Sequence, residues 1–289
     1  MAKLNIGLKQ ARRVCQLSPQ ARLVFFSEGM PQILASAQGF WSASEQLEGA
    51  PREAQVLADY AAEEAAKILI LADIVRCPPS LLKERMPLML GWFYQHLTRL
   101  LYAEAQSWRP VTMTDLRGYV DDGRKAHYLE GYAGEYIVPN SLLYQRETSL
   151  YVDIEAYEDG VPLWSAPRSY EPRFAAFEPA SLRVAKALFE VGALSERGLA
   201  IMAEVWGPTL FRDDVRFDRG DALTEEMLRR LIAEGLPKES ASDEHVQALY
   251  AHWQMPMYHL EFALDEVPFD ELDAARERMF AAEIGWDGS

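Results

Sequence analysis

Ala58-Asp59-Tyr60-Ala61-Ala62-Glu63-Glu64-Ala65-Ala66-Lys67-Ile68-Leu69-Ile70-Leu71-Ala72-Asp73-Ile74-Val75-Arg76 is the stretch whose reading decides the fold. Pro51 upstream suits a first helical position, and Pro78-Pro79 downstream is a stop, so a helix is predicted from 51 to about 76. Leu57, Ala61, Glu64, Ile68, Leu71 and Val75 follow alternating steps of four and three, the period of a seam facing another helix. Glu64 falls inside that seam, where a carboxylate is costly unless it is paired or hydrogen-bonded. Lys67 lies one turn away as its local partner. Glu63 and Lys67 are spaced i,i+4 with the acid first, an arrangement that on a solvated face means little. Glu64 is therefore expected to be the buried acid, and Glu63 an ordinary helix-surface one.

The neighbouring segments are also helical in pattern. Upstream, residues 1–25 give no clear signal. Ser27, Gly29 and Pro31 then precede Ile33, Leu34, Ala37, Phe40, Trp41 and Leu47 at helical spacing. Downstream, 80–107 reads as one helix with Met86, Leu90, Phe93, Leu97 and Leu100 on its seam. Trp92, His96, Arg99 and Ala103 run along its flank, and Trp108-Arg109-Pro110 ends it. Residues 113–133 read as a more polar helix carrying Arg117, Arg124, Lys125 and His127.

At Leu150 the period changes. Leu150, Val152 and Ile154 alternate with Tyr151, Asp153 and Glu155, a strand signature. Glu158-Asp159-Gly160 is a turn, after which Val161–Trp164 pairs back as a hairpin. Pro167, Pro172 and Pro179 mark a linker-like stretch, and five further helices are predicted over 179–191, 195–206, 223–234, 242–252 and 268–284. The fold class read from this order is mainly α: an antiparallel helix bundle with a small β-hairpin insertion and additional C-terminal helices. Residues 1–170 form the first domain, with the hairpin near 148–165, and 171–289 a helical region packed on it.

Bulk composition narrows the function. The chain has 289 residues and a formal net charge of −15. Half of its residues are hydrophobic, enough for a sizeable core. Nonspecific nucleic-acid binding normally needs a basic face, so it is disfavoured, although a small basic cleft within an acidic shell is compatible with the total. Adhesion to anionic membranes is disfavoured for the same reason. No apolar run approaches the length of a membrane span. The N-terminus does not read as a signal peptide. Cys15 and Cys77 are two isolated thiols, best read as reduced and cytosolic. A glycine-rich phosphate loop, Gly-x-Ser-x-Gly, His-Glu-x-x-His and Cys-x-x-Cys are all absent.

Candidate chemistry is carried by a few groups. His96 and Arg99 lie three apart on one helix face. Arg124 and His127 are close in sequence, and Arg with His is a pairing able to cleave RNA without metal: the imidazole moves the proton and the guanidinium stabilises phosphate charge. Arg146, Tyr151 and Asp153 flank the strand, with Tyr151 and Asp153 on its polar side. Trp253, Met255, Met257 and Tyr258 read as core. His252 and His259, seven apart, are poorly spaced as metal ligands. No metal or other cofactor is expected.

The stretch 58–69, followed by His96 with Arg99, and by Arg146 before Leu150-Tyr151-Val152-Asp153, Trp164 and Pro167, resembles the AbiV-like abortive-infection branch of the HEPN superfamily. In that branch an early helix carries a Glu-Glu-x-x-Lys-like motif and a later one a His with a basic residue three positions on. The resemblance spans roughly residues 26–170. It implies a HEPN-like bundle, a role in bacterial antiphage defence in the cytoplasm, a homodimer, and RNA or a phage or host protein as partner. It also implies a site assembled from Glu63, Glu64, Lys67, His96, Arg99 and the Arg146–Asp153 segment, with His96 moving a proton and Arg99, Lys67 and Arg146 neutralising phosphate. Ribonuclease-active HEPN domains carry Arg, four to six residues, then His, whereas Arg124 and His127 have only two residues between them. Three function classes thus stay open: a metal-independent ribonuclease, a non-catalytic regulatory protein whose motif is a structural ion-pair network, and a binder of a small ligand or nucleotide signal in the same polar pocket.

Overall fold

A computed structural model describes residues 6–156, 160–167 and 177–283. Among these residues the chain is mainly helical, with two small antiparallel hairpins. In order, the elements are α1 (Ile6–Ala11), α2 (Pro19–Glu45), α3 (Pro51–Arg76), α4 (Pro79–Trp92), α5 (His96–Glu104), α6 (Met113–Gly123), β1 (His127–Glu130), β2 (Tyr136–Pro139), α7 (Ser141–Leu150), β3 (Asp153–Ala156), β4 (Pro162–Ser165), α8 (Ala180–Glu190), α9 (Glu196–Trp206), α10 (Phe217–Ala233), α11 (Asp243–His252) and α12 (Phe269–Glu283).

Local chemistry sets the boundaries. Pro occupies the first helical turn of α2, α3 and α4, where its missing N–H has no intrahelical role. Ser18 caps α2 by accepting from the Ala21 N–H. Thr112 and Asp115 form a reciprocal capping box on α6. Asn140 caps α7 by accepting from the Leu143 N–H at 3.0 Å, and its amide donates to the Gly123 and Lys125 carbonyls. Gly192 turns the chain after α8 at φ +80°, and a Cβ there would meet the Leu236 carbonyl oxygen at 2.3 Å.

Helix α3 is the axis of the molecule. It packs against α2, α4, α5, α7, α8 and α9, so burial spreads around it instead of along one stripe. Ala61, Ala65, Ala66, Ile68, Leu69, Ile70 and Ala72 are all buried. The small residues let neighbouring backbones approach. The apolar core runs on through α8, α9 and α10 to the segment Trp253–Phe262, which is irregular and buried.

A buried irregular segment must have its backbone groups paired. Here α3 supplies the partners. Asp73 accepts from the Met257 N–H at 2.7 Å and from the Tyr102 hydroxyl at 3.0 Å. It also pairs with Arg76. Arg76 in turn donates to the Gln254 carbonyl at 2.9 Å, with its guanidinium between the Trp206 and Trp253 rings. The Gln254 N–H donates to Gln106 Oε1, and the Gln254 side chain donates to the Ala105 carbonyl. Burial pushes the Asp73 carboxyl up, against the pull of Arg76 and its other donors.

Four expectations need correction. Helix α2 begins at Pro19, so Pro31 lies inside it. The predicted 80–107 helix is broken: α4 ends at Trp92 and α5 starts afresh at His96, after Gln95 in an extended conformation. The predicted 113–133 helix stops at Gly123, and His127 sits on β1, paired opposite Pro139. Arg146 is on helix α7 and does not flank a strand. The second hairpin is present, with Ile154 opposite Trp164. The predicted turn residues Glu158 and Asp159 and the linker proline Pro172 lie outside the described residues. Among the described residues, no helix is long and apolar enough to cross a membrane.

Candidate functional site

Three separate elements converge on one carboxylate, and it belongs to Glu63. Glu63 sits mid-helix on α3 with 3% of its surface exposed. His96 projects from the first turn of α5 and Arg99 from the next residue on that face. Arg146 comes from α7. Glu63 Oε2 lies 2.8 Å from His96 Nδ1 and 3.0 Å from an Arg99 terminal nitrogen. Glu63 Oε1 accepts from Arg146 Nε at 2.9 Å. Both carboxylate oxygens are thus held by charge-assisted donors.

His96 Nδ1 has two partners, Glu63 and Arg99, and each corresponds to one tautomer. Donation from Nδ1 to Glu63 Oε2 is one tautomer, and it leaves Nε2 as the acceptor. In the other, Nδ1 accepts from the Arg99 guanidinium at 2.7 Å and Nε2 carries the hydrogen. The His96 side chain is 48% exposed, whereas those of Arg99 and Arg146 are nearly covered. With one ring nitrogen held and its side chain half exposed, His96 is the member of the cluster open to solvent.

Charge is finely balanced around the ring. Arg146 also pairs with the exposed Glu147 at 3.0 Å. Burial works against the Arg146 charge, but hydrogen bonding and attraction from Glu63 outweigh it and raise its pKa. Two arginines thus face two glutamates. Arg99 Nε is buried without a hydrogen-bond partner among the described residues.

The expected roles of the two acids are reversed. Glu64 is partly exposed and pairs with Lys67 at 2.5 Å, and the Lys67 ammonium lies 5.3 Å from the Phe93 ring centre. This pair is adjacent to the Glu63 cluster in sequence but shares none of its bonds. The heptad reading assumed one partner helix. With helices on several sides of α3, the position next to the seam is the more deeply buried one.

The other proposed residues lie apart from this network. Tyr151 is exposed, and Asp153, also exposed, accepts from the Ile154 N–H. Arg124 pairs with Asp121 at 2.9 Å and donates to the Ala263 carbonyl. The His127 ring packs 5.0 Å from that of Phe269. Arg124 and His127 therefore fasten the C-terminal segment. Trp253, Met255, Met257 and Tyr258 are buried core. Sequence reasoning passed over Asp73 and Arg76, although an acid and a base three apart in an otherwise apolar run were a visible signal. Among the described residues, no group of three or more His, Cys, Asp or Glu side chains is placed to hold a metal ion.

Comparison with family models, with curated proteins and with solved structures found no match to this chain.

Proposed function

We propose that this chain is a cytoplasmic bacterial antiphage protein of the AbiV-like, HEPN-related kind that cleaves RNA with His96 as its proton-transfer group. One observation carries the reading. Glu63, the His96/Arg99 pair and Arg146 are far apart in sequence, belong to three short motifs of the resemblance, and meet within hydrogen-bonding distance.

In this reading His96 Nε2 takes the proton of a ribose 2′-hydroxyl. The 2′-oxygen attacks phosphorus, the bond to the 5′-oxygen breaks, and that oxygen receives the proton. The products are a 2′,3′-cyclic phosphate and a 5′-hydroxyl. Arg99 and Arg146 hold Glu63 and contribute positive potential beside the phosphate. The homodimer implied by the resemblance belongs to the same proposal.

Incubation of the purified protein with total RNA and with tRNA, beside the His96→Ala variant and buffer, tests it. Fragments from the wild type alone support the proposal. Identical banding in all three lanes overturns it.

A second reading, a regulatory protein whose cluster is purely structural, is favoured by the near-complete burial of Glu63 and its full set of donors. It predicts that Glu63→Ala strongly lowers the melting temperature while no variant changes any RNA.

A further inference from the structure

A cavity of about 450 Å³ is walled by the N-terminal segment, α2, α3 and the end of α4, and its size is within the range of small-molecule sites. Val14, Phe26, Leu71 and Leu90 line its inner side and are buried. Gln10, Phe25, Gln32 and Tyr94 line its outer side and are exposed. The cavity thus has an apolar interior and a mouth open to water.

None of the lining residues is charged. An ion drawn into this lining would lose hydration and find no counter-charge, so the lining selects an uncharged guest. Four of the lining rings form two tilted pairs. Phe25 and Phe26 lie 6.2 Å apart at 52°, and Phe93 and Tyr94 lie 5.2 Å apart at 60°. Tilted rings offer both edges and faces to a further ring, the geometry in which aromatic contact adds to plain area burial. The mouth also holds spare hydrogen-bonding capacity. The Gln10 amide and the Tyr94 hydroxyl have no hydrogen-bond partner among the described residues.

The sequence of α2 breaks two local rules at this place. Gly29 and Pro31 lie inside the helix, where both residue types are unfavourable. Gly29 lines the cavity, and a Cβ added there would meet nothing within 4 Å, so the missing side chain leaves open space. Departures of this kind belong to sites where function needs them.

We infer that this cavity binds a small neutral aromatic molecule, with its rings among Phe25, Phe26, Phe93 and Tyr94 and one hydroxyl-type group at the mouth beside Gln10. The site shares no residue with the Glu63 cluster and does not depend on the function proposed for it.

Isothermal titration calorimetry on the full chain at pH 7 with 1-naphthol, 1-naphthoate and decahydro-1-naphthol tests this. The three share one carbon skeleton; the second adds a charge and the third removes the aromaticity. 1-Naphthol is expected to bind once per chain, at least about tenfold more tightly than 1-naphthoate and several-fold more tightly than the saturated alcohol. Gly29→Phe, which fills the open space, weakens 1-naphthol about tenfold or more, and Phe25→Ala, at an exposed position of the mouth, weakens it several-fold. Far-ultraviolet circular dichroism checks each variant's fold, and Phe25→Ala decides the matter if Gly29→Phe does not fold. Absence of saturable 1-naphthol binding, equal or tighter binding of either analogue, or 1-naphthol binding untouched by the substitutions in folded protein would overturn the inference.

Discussion

Glu63 is buried and His96 half exposed within one cluster, and substitution should separate them. Removing the Glu63 carboxylate leaves Arg99 and Arg146 largely buried without their shared counter-charge. Breaking a buried ion pair in this way costs about 3–5 kcal/mol. For a chain of this size that is a fall in melting temperature of roughly 10 °C. His96 is half-exposed, so His96→Ala should change stability by no more than about 1 kcal/mol. Thermal unfolding of the two variants checks the contrast. A large loss for His96→Ala would make the histidine a structural member and remove its claim to be the working edge. His259 is a different case. Burial first, and Arg117 second, lower its pKa from 6.5 to about 4, against a smaller opposing pull from Asp213. Both ring nitrogens are buried without partners among the described residues. The folded value lies below the unfolded one, so between about pH 6.5 and 4 the unfolded chain binds a proton that the folded chain does not. Stability therefore falls on acidification through that window, by about 2 kcal/mol between pH 7 and 5 from this residue. His252, lowered in the same direction by burial, adds to the trend. Urea unfolding at the two pH values should show the loss, and His259→Leu should show less of it.

Among the elements, α3 and the segment Trp253–Phe262 depend on each other. The helix presents Asp73 and Arg76 to the backbone of that segment and to Tyr102. Asp73→Ala would orphan the Met257 N–H and leave Arg76 buried between two indoles with no carboxylate. The expected cost is about 3–5 kcal/mol, with preferential loss of amide-exchange protection around Met257. Unchanged protection there would show that the segment is held by its apolar side chains alone. The break between α4 and α5 matters for another reason. It restarts the helix at His96, which places His96 and Arg99 on the turn that faces Glu63. Apolar spacing ran on smoothly from Leu90 through Phe93 to Leu97, so the break was invisible to periodicity. The C-terminal helices α8, α9, α11 and α12, each with a strong cap or proline signal nearby, begin and end close to where spacing placed them, whereas α10 ends as expected but begins at Phe217, ahead of the expected 223 and without a side-chain cap. Strand β1 was missed because Tyr128 and Leu129 follow a genuine helix with no proline between.

At the scale of the whole molecule, the mainly helical class was legible because apolar residues recur at helical spacing through most of the chain. Which acid lies inside was not. A single-seam reading suits a helix with one neighbour, and α3 has neighbours on several sides. The number of neighbours is a property of the assembled fold, which is why the roles of Glu63 and Glu64 came out reversed. The motifs containing Glu63, His96 and Arg146 were all identified in advance, yet only three-dimensional packing shows that they share one carboxylate. The net charge of −15 also acquires a local meaning. Around His96 two arginines balance two glutamates, so this patch is formally neutral in an otherwise acidic molecule.

The proposal that His96 performs chemistry is tested most directly on one short RNA and its all-2′-deoxy analogue, with end-group analysis of the products. The account predicts that the wild type cleaves the RNA to 2′,3′-cyclic phosphate and 5′-hydroxyl ends and leaves the deoxy analogue intact. It also predicts that His96→Ala, folded as the wild type is, cleaves at least about 100-fold more slowly. Equal cleavage by the wild type and His96→Ala, or cleavage by neither, would contradict it and leave Glu63 as the centre of a structural ion-pair network.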